Sequence, residues 1–245
     1  MPPPRLVLLP HAGGAAGALP WRALLPRDWA ERVIDLELPG RGRRFGVPFA
    51  ASLRSLAEEL AASIHAVSGA EPVLLQGHSM GALIAYETAR ALLDRGVAVA
   101  GLVLSGRAAP HWPAVGAGRP RHLRSDAELV AELRRLGGTP AAVLAEPDLL
   151  ELMLPVLRAD FKLVETYRWV PGPALPLPAV VVGGVDDPAT PPESLAAWGE
   201  ALRGPVRVER WAGGHFFAHH APRRYAELIQ RHAEAVAAAA AGGPA

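Results

Sequence analysis

Gly77-His78-Ser79-Met80-Gly81 sets a serine between two glycines, the G-x-S-x-G spacing of a nucleophile held on a sharp strand-to-helix turn. The chemistry would be attack by the serine oxygen on a carbonyl carbon. A serine hydroxyl is a weak nucleophile until a base takes its proton. The chain must therefore supply a base and a group that orients it. A turn tight enough to expose the hydroxyl leaves no space for side chains two residues before or after it, which is the demand for glycine at both positions. The surroundings agree: residues 72–76 read as a buried apolar strand and residues 80–94 as a helix ending at Gly96. The first N–H groups of that helix would face the reaction centre and favour a developing oxyanion.

Nine histidines compete for the role of base. His78 is adjacent, but consecutive side chains on a tight turn diverge, and a base must come within ~2.6–3.2 Å of the serine oxygen. It reads as a packed histidine bonded to neighbouring backbone. Hydrolases built on this turn carry serine, acid and histidine in that chain order. The base is then sought after the last strand, residues 207–210, where Trp211-Ala212-Gly213-Gly214-His215-Phe216-Phe217 puts His215 at a loop tip. His219 and His220 read as exposed or capping groups ahead of the next helix. His65, His111, His122 and His232 read as surface or packing residues. The acid belongs to the preceding strand's loop, Gly183-Gly184-Val185-Asp186-Asp187-Pro188. Counting from Gly184 favours Asp187, with Asp186 as its neighbour. Two backbone N–H groups would hold the oxyanion: that of Met80, and that of Ala12 in the glycine-rich turn Pro10-His11-Ala12-Gly13-Gly14.

The elements that must carry these residues alternate. Strands are expected at residues 5–9, 32–38, 72–76, 99–104, 179–182 and 207–210. Helices are expected at 52–67, 80–94, 126–136, 148–167, 193–202 and 222–237. Ser55 and Glu58 match a capping box for the first of these helices. Strands alternating with helices imply a mainly parallel sheet covered on both faces, an α/β fold. The alternation breaks from Gly106 to Pro178, where helices stand without a convincing strand. The reading is an α/β-hydrolase core of residues 1–105 and 179–237 with a helical lid inserted at 106–178. The Ala- and Gly-rich tail at 238–245 reads as frayed and disordered.

Composition narrows the classes. A chain of 245 residues, half of them hydrophobic, suits one α/β domain with a large core. A net charge of +1 gives no electrostatic case for nucleic acid or a membrane surface. The absence of cysteine removes disulfides, thiolate metal sites and a cysteine nucleophile. No apolar run approaches the ~18 residues of a membrane span, and the start lacks a signal-peptide pattern, so a cytoplasmic protein is expected. Lys162 is the only lysine while arginine is abundant, so arginine clusters carry less functional information than usual.

Taken together, several motifs resemble the type II thioesterases that accompany polyketide and non-ribosomal peptide synthetases. They are Pro10-His11-Ala12-Gly13-Gly14, Pro39-Gly40-Arg41-Gly42-Arg43-Arg44, the serine turn, Ser105-Gly106-Arg107-Ala108-Ala109-Pro110, Leu136-Gly137-Gly138-Thr139-Pro140, Leu157-Arg158-Ala159-Asp160-Phe161 and Gly213-Gly214-His215-Phe216-Phe217. The resemblance implies a stand-alone monomeric hydrolase that clears acyl groups from the phosphopantetheine thiol of an acyl or peptidyl carrier protein. Ser79, Asp187 and His215 match its catalytic positions, and neither metal nor cofactor is implied. His11, Trp112, Met153, Leu154, Leu157, Phe161, Tyr167 and Phe216 are the candidates for an apolar acyl site. Arg41, Arg43 and Arg44, or Arg119, Arg121 and Arg124, are candidates for meeting an acidic carrier. The competing readings are a general carboxylester hydrolase or lipase, a catalytically silent binding module on the same fold, and a releasing domain cut from a megasynthase.

Overall fold

The computed structural model describes residues 3–113 and 119–242, apart from Ala16 and Ala18. Six strands form one sheet: β1 (Arg5–Leu9), β2 (Val33–Ile34), β3 (Val73–His78), β4 (Val99–Ser105), β5 (Ala179–Gly184) and β6 (Val206–Trp211). Their order is β2-β1-β3-β4-β5-β6 and every pair is parallel. Parallel strands need helical crossovers, which cover both faces and bury the strands entirely. β1 shows the result. Val7 and Leu9 join one apolar cluster, Leu6 and Leu8 the other, and all four are buried.

The helices, in chain order, are α1 (Arg27–Ala30), α2 (Leu53–Ser68), α3 (Met80–Asp94), α4 (Asp126–Leu136), α5 (Ala141–Ala145), α6 (Pro147–Thr166), α7 (Pro192–Ala196), α8 (Trp198–Ala201), α9 (Phe217–His220) and α10 (Pro222–Ala241). The side of α2 bearing Leu53, Leu56, Leu60 and Ile64 packs with α3 on one face of the sheet, and α10 packs through Tyr225, Leu228 and Ile229 on the other. Between β4 and β5 the chain leaves the sheet and builds α4, α5 and α6. Their inner faces share a separate small cluster of Leu129, Leu133, Leu144, Leu154, Leu157 and Phe161. This segment is called the lid below.

Strand order reverses at β1. Its successor β2 lies on one side and β3 on the other. The C-terminal ends of β1 and β3 therefore lie at the switch point, the usual binding place on such sheets. His11–Gly14 and Ser79 follow those two ends.

Several elements differ from the sequence expectation. β2 is two residues long rather than seven, because the chain turns away toward Pro39-Gly40 at the sheet's edge. The helix expected at 193–202 is two short helices meeting at Ala197. The cap of α2 is Ser52, whose side chain accepts from the Ser55 N–H while Ser55 returns the bond, so the box lies three residues before the expected one. Starting there brings Leu53 and Leu56 into the core. The chain does not fray at Ala238. α10 continues to Ala241, as alanine, the best helix former, allows; residues 243–245 lie outside the described residues.

Candidate active site

Ser79 sits between β3 and α3 with φ 55° and ψ −111°, the only non-glycine residue at positive φ among the described residues. Such a conformation costs about 1–3 kcal/mol and persists only where the surroundings enforce it. Here they do. A Cβ on Gly77 would lie 2.0 Å from the Gly81 carbonyl oxygen, and one on Gly81 would lie 2.3 Å from that of Leu9. The Ser79 N–H donates to the Ser105 carbonyl at 2.8 Å, tying the turn to the end of β4. The two glycines are thus steric requirements, as the spacing implied.

His215 reaches this serine from 136 residues away in the chain. Its Nε2 is 2.9 Å from Ser79 Oγ, and its Nδ1 is 2.8 Å from Asp187 Oδ2. A carboxylate only accepts, so the Nδ1 carries the proton and the Nε2 lone pair faces the serine hydroxyl. Asp187 is buried and also receives the Ala189 N–H at 3.0 Å and the Thr190 hydroxyl at 3.2 Å. Burial pushes its carboxyl up. The His215 hydrogen bond and charge, with the Ala189 and Thr190 bonds, outweigh that and hold it below the usual carboxylate range. Asp186 is exposed, and its own N–H is committed to the Gly213 carbonyl at 3.0 Å. The geometry therefore selects Asp187 between the neighbours. The acid and histidine loops touch backbone to backbone. A Cβ on Gly184 would lie 2.4 Å from the Gly214 carbonyl oxygen.

Beneath Ser79, His215 and Asp187 lies a cluster of rings that the sequence did not disclose. His78 is fully buried, with its ring centroid 5.4 Å from that of His215, 5.9 Å from His219 and 6.2 Å from His11. Its Nδ1 meets the Ser105 hydroxyl at 2.9 Å, a side-chain partner rather than the expected backbone one. Tyr225 donates to the same hydroxyl at 2.6 Å, Gln76 donates to Tyr225 at 3.2 Å, and Trp21 donates to Gln76 at 3.3 Å. A polar chain thus runs through the core under Ser79. His219 is not the exposed or capping group expected at the head of a helix. It packs edge-on against His11 and Trp21, because α9 turns it inward. Burial lowers the pKa of His11 to about 3 and that of His219 to about 4, with neighbouring histidines adding to both shifts. Burial likewise holds His78 well below the usual range. All three are neutral near pH 7.

The loop after β1 is closed by the Gly14 N–H donating to the His11 carbonyl at 3.0 Å, and Gly13 takes φ +79°. Ala12 packs against both the core and the lid cluster. Met80 opens α3, so its N–H has no intrahelical acceptor. Of the residues expected to line an acyl site, Leu154, Leu157 and Phe161 lie within the lid cluster and Met153 packs on it. Trp112 and Tyr167 pack instead on the core beside α3, where Tyr167 donates to Glu87 at 2.6 Å. His11 turns into the ring cluster against Phe216, centroid to centroid 4.9 Å. A Cβ on Gly138 would lie 2.2 Å from the Phe216 ring, so the lid loop after α4 rests on the residue next to His215.

The arginine expectations divide. Arg41 is buried and paired with Asp160, so it is not available for docking. Arg43 pairs with Asp35, and Arg44 with Glu59. Arg121 and Arg124 converge on Glu132 within the lid. Sequence reasoning gave no role to Asp160, Ser105 or Tyr225. Asp160 and Ser105 each fell inside a motif quoted for the resemblance, while Tyr225 left no signal.

A family description called "Thioesterase domain" matches residues 4–234. Thioesterase PikA5 of Streptomyces venezuelae is 38% identical over 220 residues, covering 87% of this chain and 75% of that protein. Gramicidin S biosynthesis protein GrsT of Aneurinibacillus migulanus is 34% identical, covering 92% of this chain and 87% of its own. The solved structure of the type II thioesterase BorB from the borrelidin biosynthetic cluster superposes with a TM-score of 0.81 at 36% identity, covering 94% of this chain and 93% of that one. The chain therefore belongs to the thioesterase family, as a serine hydrolase of the α/β-hydrolase fold.

Proposed function

We propose that this thioesterase hydrolyses acyl groups from the phosphopantetheine thiol of carrier proteins, with Ser79 as nucleophile, His215 as base and then acid, and Asp187 as the group that orients His215. The observation that carries the reading is the continuous contact from Ser79 Oγ to His215 Nε2 and from His215 Nδ1 to Asp187, at 2.9 and 2.8 Å. The carrier as substrate is supported by relatives from polyketide and peptide biosynthetic clusters.

His215 Nε2 takes the Ser79 proton as the oxygen attacks the thioester carbonyl. The carbonyl electrons move onto oxygen, which the backbone N–H groups of Met80 and Ala12 receive; one such donor is worth about 3 kcal/mol in the transition state. Asp187 keeps its negative charge and stabilises the imidazolium. Collapse breaks the C–S bond. His215 gives the proton it took from Ser79 to the departing sulfur, which leaves the imidazole neutral again; a thiol with a pKa near ~8.5 leaves more readily than an amine would, so little driving force is asked of that transfer. Water then enters, gives a proton to His215 and attacks the acyl-serine. The second collapse frees the acid and returns the proton to Ser79. Neither step calls for a metal or an organic cofactor. The lid face of Met153, Leu157 and Phe161, with Phe216 opposite, is the proposed seat of the acyl chain. A monomer acting in the cytoplasm accompanies this reading; among the described residues no helix is long and apolar enough to cross a membrane.

The test is kcat/KM on acyl-carrier protein, on a short acyl thioester and on an oxygen ester of the same acyl group. The thioesters, and the carrier-bound one most of all, are expected to lead. A preference for the oxygen ester would move the assignment to a general carboxylester hydrolase.

A further inference from the structure

The loop Pro39-Gly40-Arg41-Gly42-Arg43-Arg44 and the run Leu157-Arg158-Ala159-Asp160-Phe161 are far apart in the chain and take no part in the steps above. The structure brings them together through one buried pair. Arg41 is 7% and Asp160 1% exposed. Their contact is a fork: Arg41 Nη1 meets Asp160 Oδ2 at 2.7 Å, and Nη2 meets Oδ1 at 2.6 Å. Each partner also holds the loop after β1. Asp160 Oδ2 accepts the Gly13 N–H at 2.8 Å, and Arg41 Nη1 donates to the Gly14 carbonyl at 3.0 Å. Leu157, one turn before Asp160, lies over Gly13, where an added Cβ would come 3.1 Å from its Cδ1.

This arrangement does more than join the lid to the core. A buried ion pair is a weak source of stability, and well-packed apolar residues of similar size commonly do as well. No apolar pair, however, accepts from one backbone N–H and donates to the next residue's carbonyl. The Asp160 bond fixes the peptide plane between Ala12 and Gly13, and the Arg41 bond fixes the plane between Gly14 and Ala15. The bond from the Gly14 N–H to the His11 carbonyl closes the turn from the other side. Ala12 lies inside that frame, so the direction of its N–H is set by it.

We propose that Asp160 and Arg41 are positioning residues for the oxyanion hole. They hold the Ala12 N–H toward the thioester carbonyl, and because Asp160 belongs to the lid, the hole is complete only while the lid is seated. The inference rests on the reading of Ala12 as an oxyanion donor.

The test uses the full chain, a short acyl thioester as substrate, and a trifluoromethyl ketone of the same acyl group, which adds Ser79 to form a tetrahedral oxyanion. The matching methyl ketone is the control. The variants are Arg41→Met/Asp160→Leu, which keeps the lid packed without charge, and Asp160→Asn, which keeps the shape and an acceptor for Gly13. For the double variant we expect a kcat loss of roughly 100-fold, KM within about 3-fold, and a matching loss of trifluoromethyl ketone affinity, the scale of removing one oxyanion donor. Asp160→Asn is expected to lose less, about 10-fold, since one backbone bond survives. A double variant that melts like the wild type and keeps both kcat and ketone affinity would overturn the proposal and leave the pair a lid fastening. Should the double variant fail to fold, unchanged kcat and ketone affinity in Asp160→Asn overturn it equally. If the wild type itself binds the trifluoromethyl ketone no better than the methyl ketone, it is the oxyanion reading beneath the proposal that fails.

Discussion

The C-terminal edge of the sheet, where Ser79, Asp187 and His215 meet, and the lid are built on opposite terms. At the edge, backbone meets backbone. Gly77 against Gly81, Gly81 against Leu9, and Gly184 against Gly214 all approach within distances that exclude a Cβ. The side chains they position are buried or nearly so, and each is held by at least one hydrogen bond. The lid has its own cluster of six buried apolar residues, packs on the core through Leu163, Trp112 and Tyr167, and is held within itself by polar contacts. His122 meets Glu165, Arg158 meets Asp126, and Arg121, Arg124 and Arg135 meet Glu132. Partly exposed ion pairs of this kind contribute about 0–1 kcal/mol each. The difference teaches where each property resides. The edge is set by backbone contacts and tolerates little change. The lid is held by side-chain contacts, which can yield where a backbone contact cannot.

The sharpest way to break that contrast lies in the acid loop. Asp187→Asn keeps the shape but presents the wrong partner to His215 Nδ1, and is expected to lower kcat by about 10⁴-fold. Asp186→Asn, one residue away and exposed, is expected to stay within about 2-fold, as surface changes away from the reacting groups do. Equal losses in the two variants, read from steady-state kinetics, would mean that the edge is not organised as described.

A smaller effect compares close approach in the two regions. In Gly184→Ala the new methyl meets the Gly214 carbonyl, so the acid and histidine loops must part; displacement by about 1 Å is expected to lower kcat by on the order of 100-fold. In Gly138→Ala the new methyl meets the rim of the Phe216 ring. That ring and the lid loop can yield, and a change of under about 10-fold, mainly in KM, is expected for a displaced but intact site. Losses in the reverse order would show the lid to be the more rigid partner.

The two regions were not equally legible in the sequence. The edge was read because its chemistry forces residue types into short local patterns. A strand, a glycine-flanked serine and a helix are one continuous stretch, and His215 and Asp187 each follow a recognisable strand. Local pattern did not reveal partners that meet only through the fold. Asp160 and Arg41 are 119 residues apart, and Tyr225 and Ser105 are 120 apart. His219 was read from its neighbours as a group at a helix start. Its burial follows from Trp21 and His11, which arrive from the other end of the chain.

The slightest expected effect concerns acid. His11, His78 and His219 are held neutral in the folded protein, with pKa values lowered to about 3, well below normal, and about 4 respectively. An unfolded histidine titrates near ~6.5. Between that value and the folded ones the unfolded chain binds more protons, so stability is complete above pH ~6.5 and is lost as pH falls toward 4. Thermal melting from pH 8 to 4 is expected to show the decline, and His219→Phe is expected to reduce its slope. A melting temperature flat from pH 7 to 4.5 would contradict the neutral ring cluster beneath Ser79 and His215.

The central claim is that Ser79 carries the acyl group between two steps driven by His215. Rapid quenching of the enzyme with acyl-carrier protein, followed by intact-protein and peptide mass spectrometry, tests it most directly. The account predicts a transient mass increase equal to the acyl group, located on the peptide containing Ser79 and absent from Ser79→Ala. Full turnover by Ser79→Ala, or acylation located on any other residue of the wild-type enzyme, would contradict it.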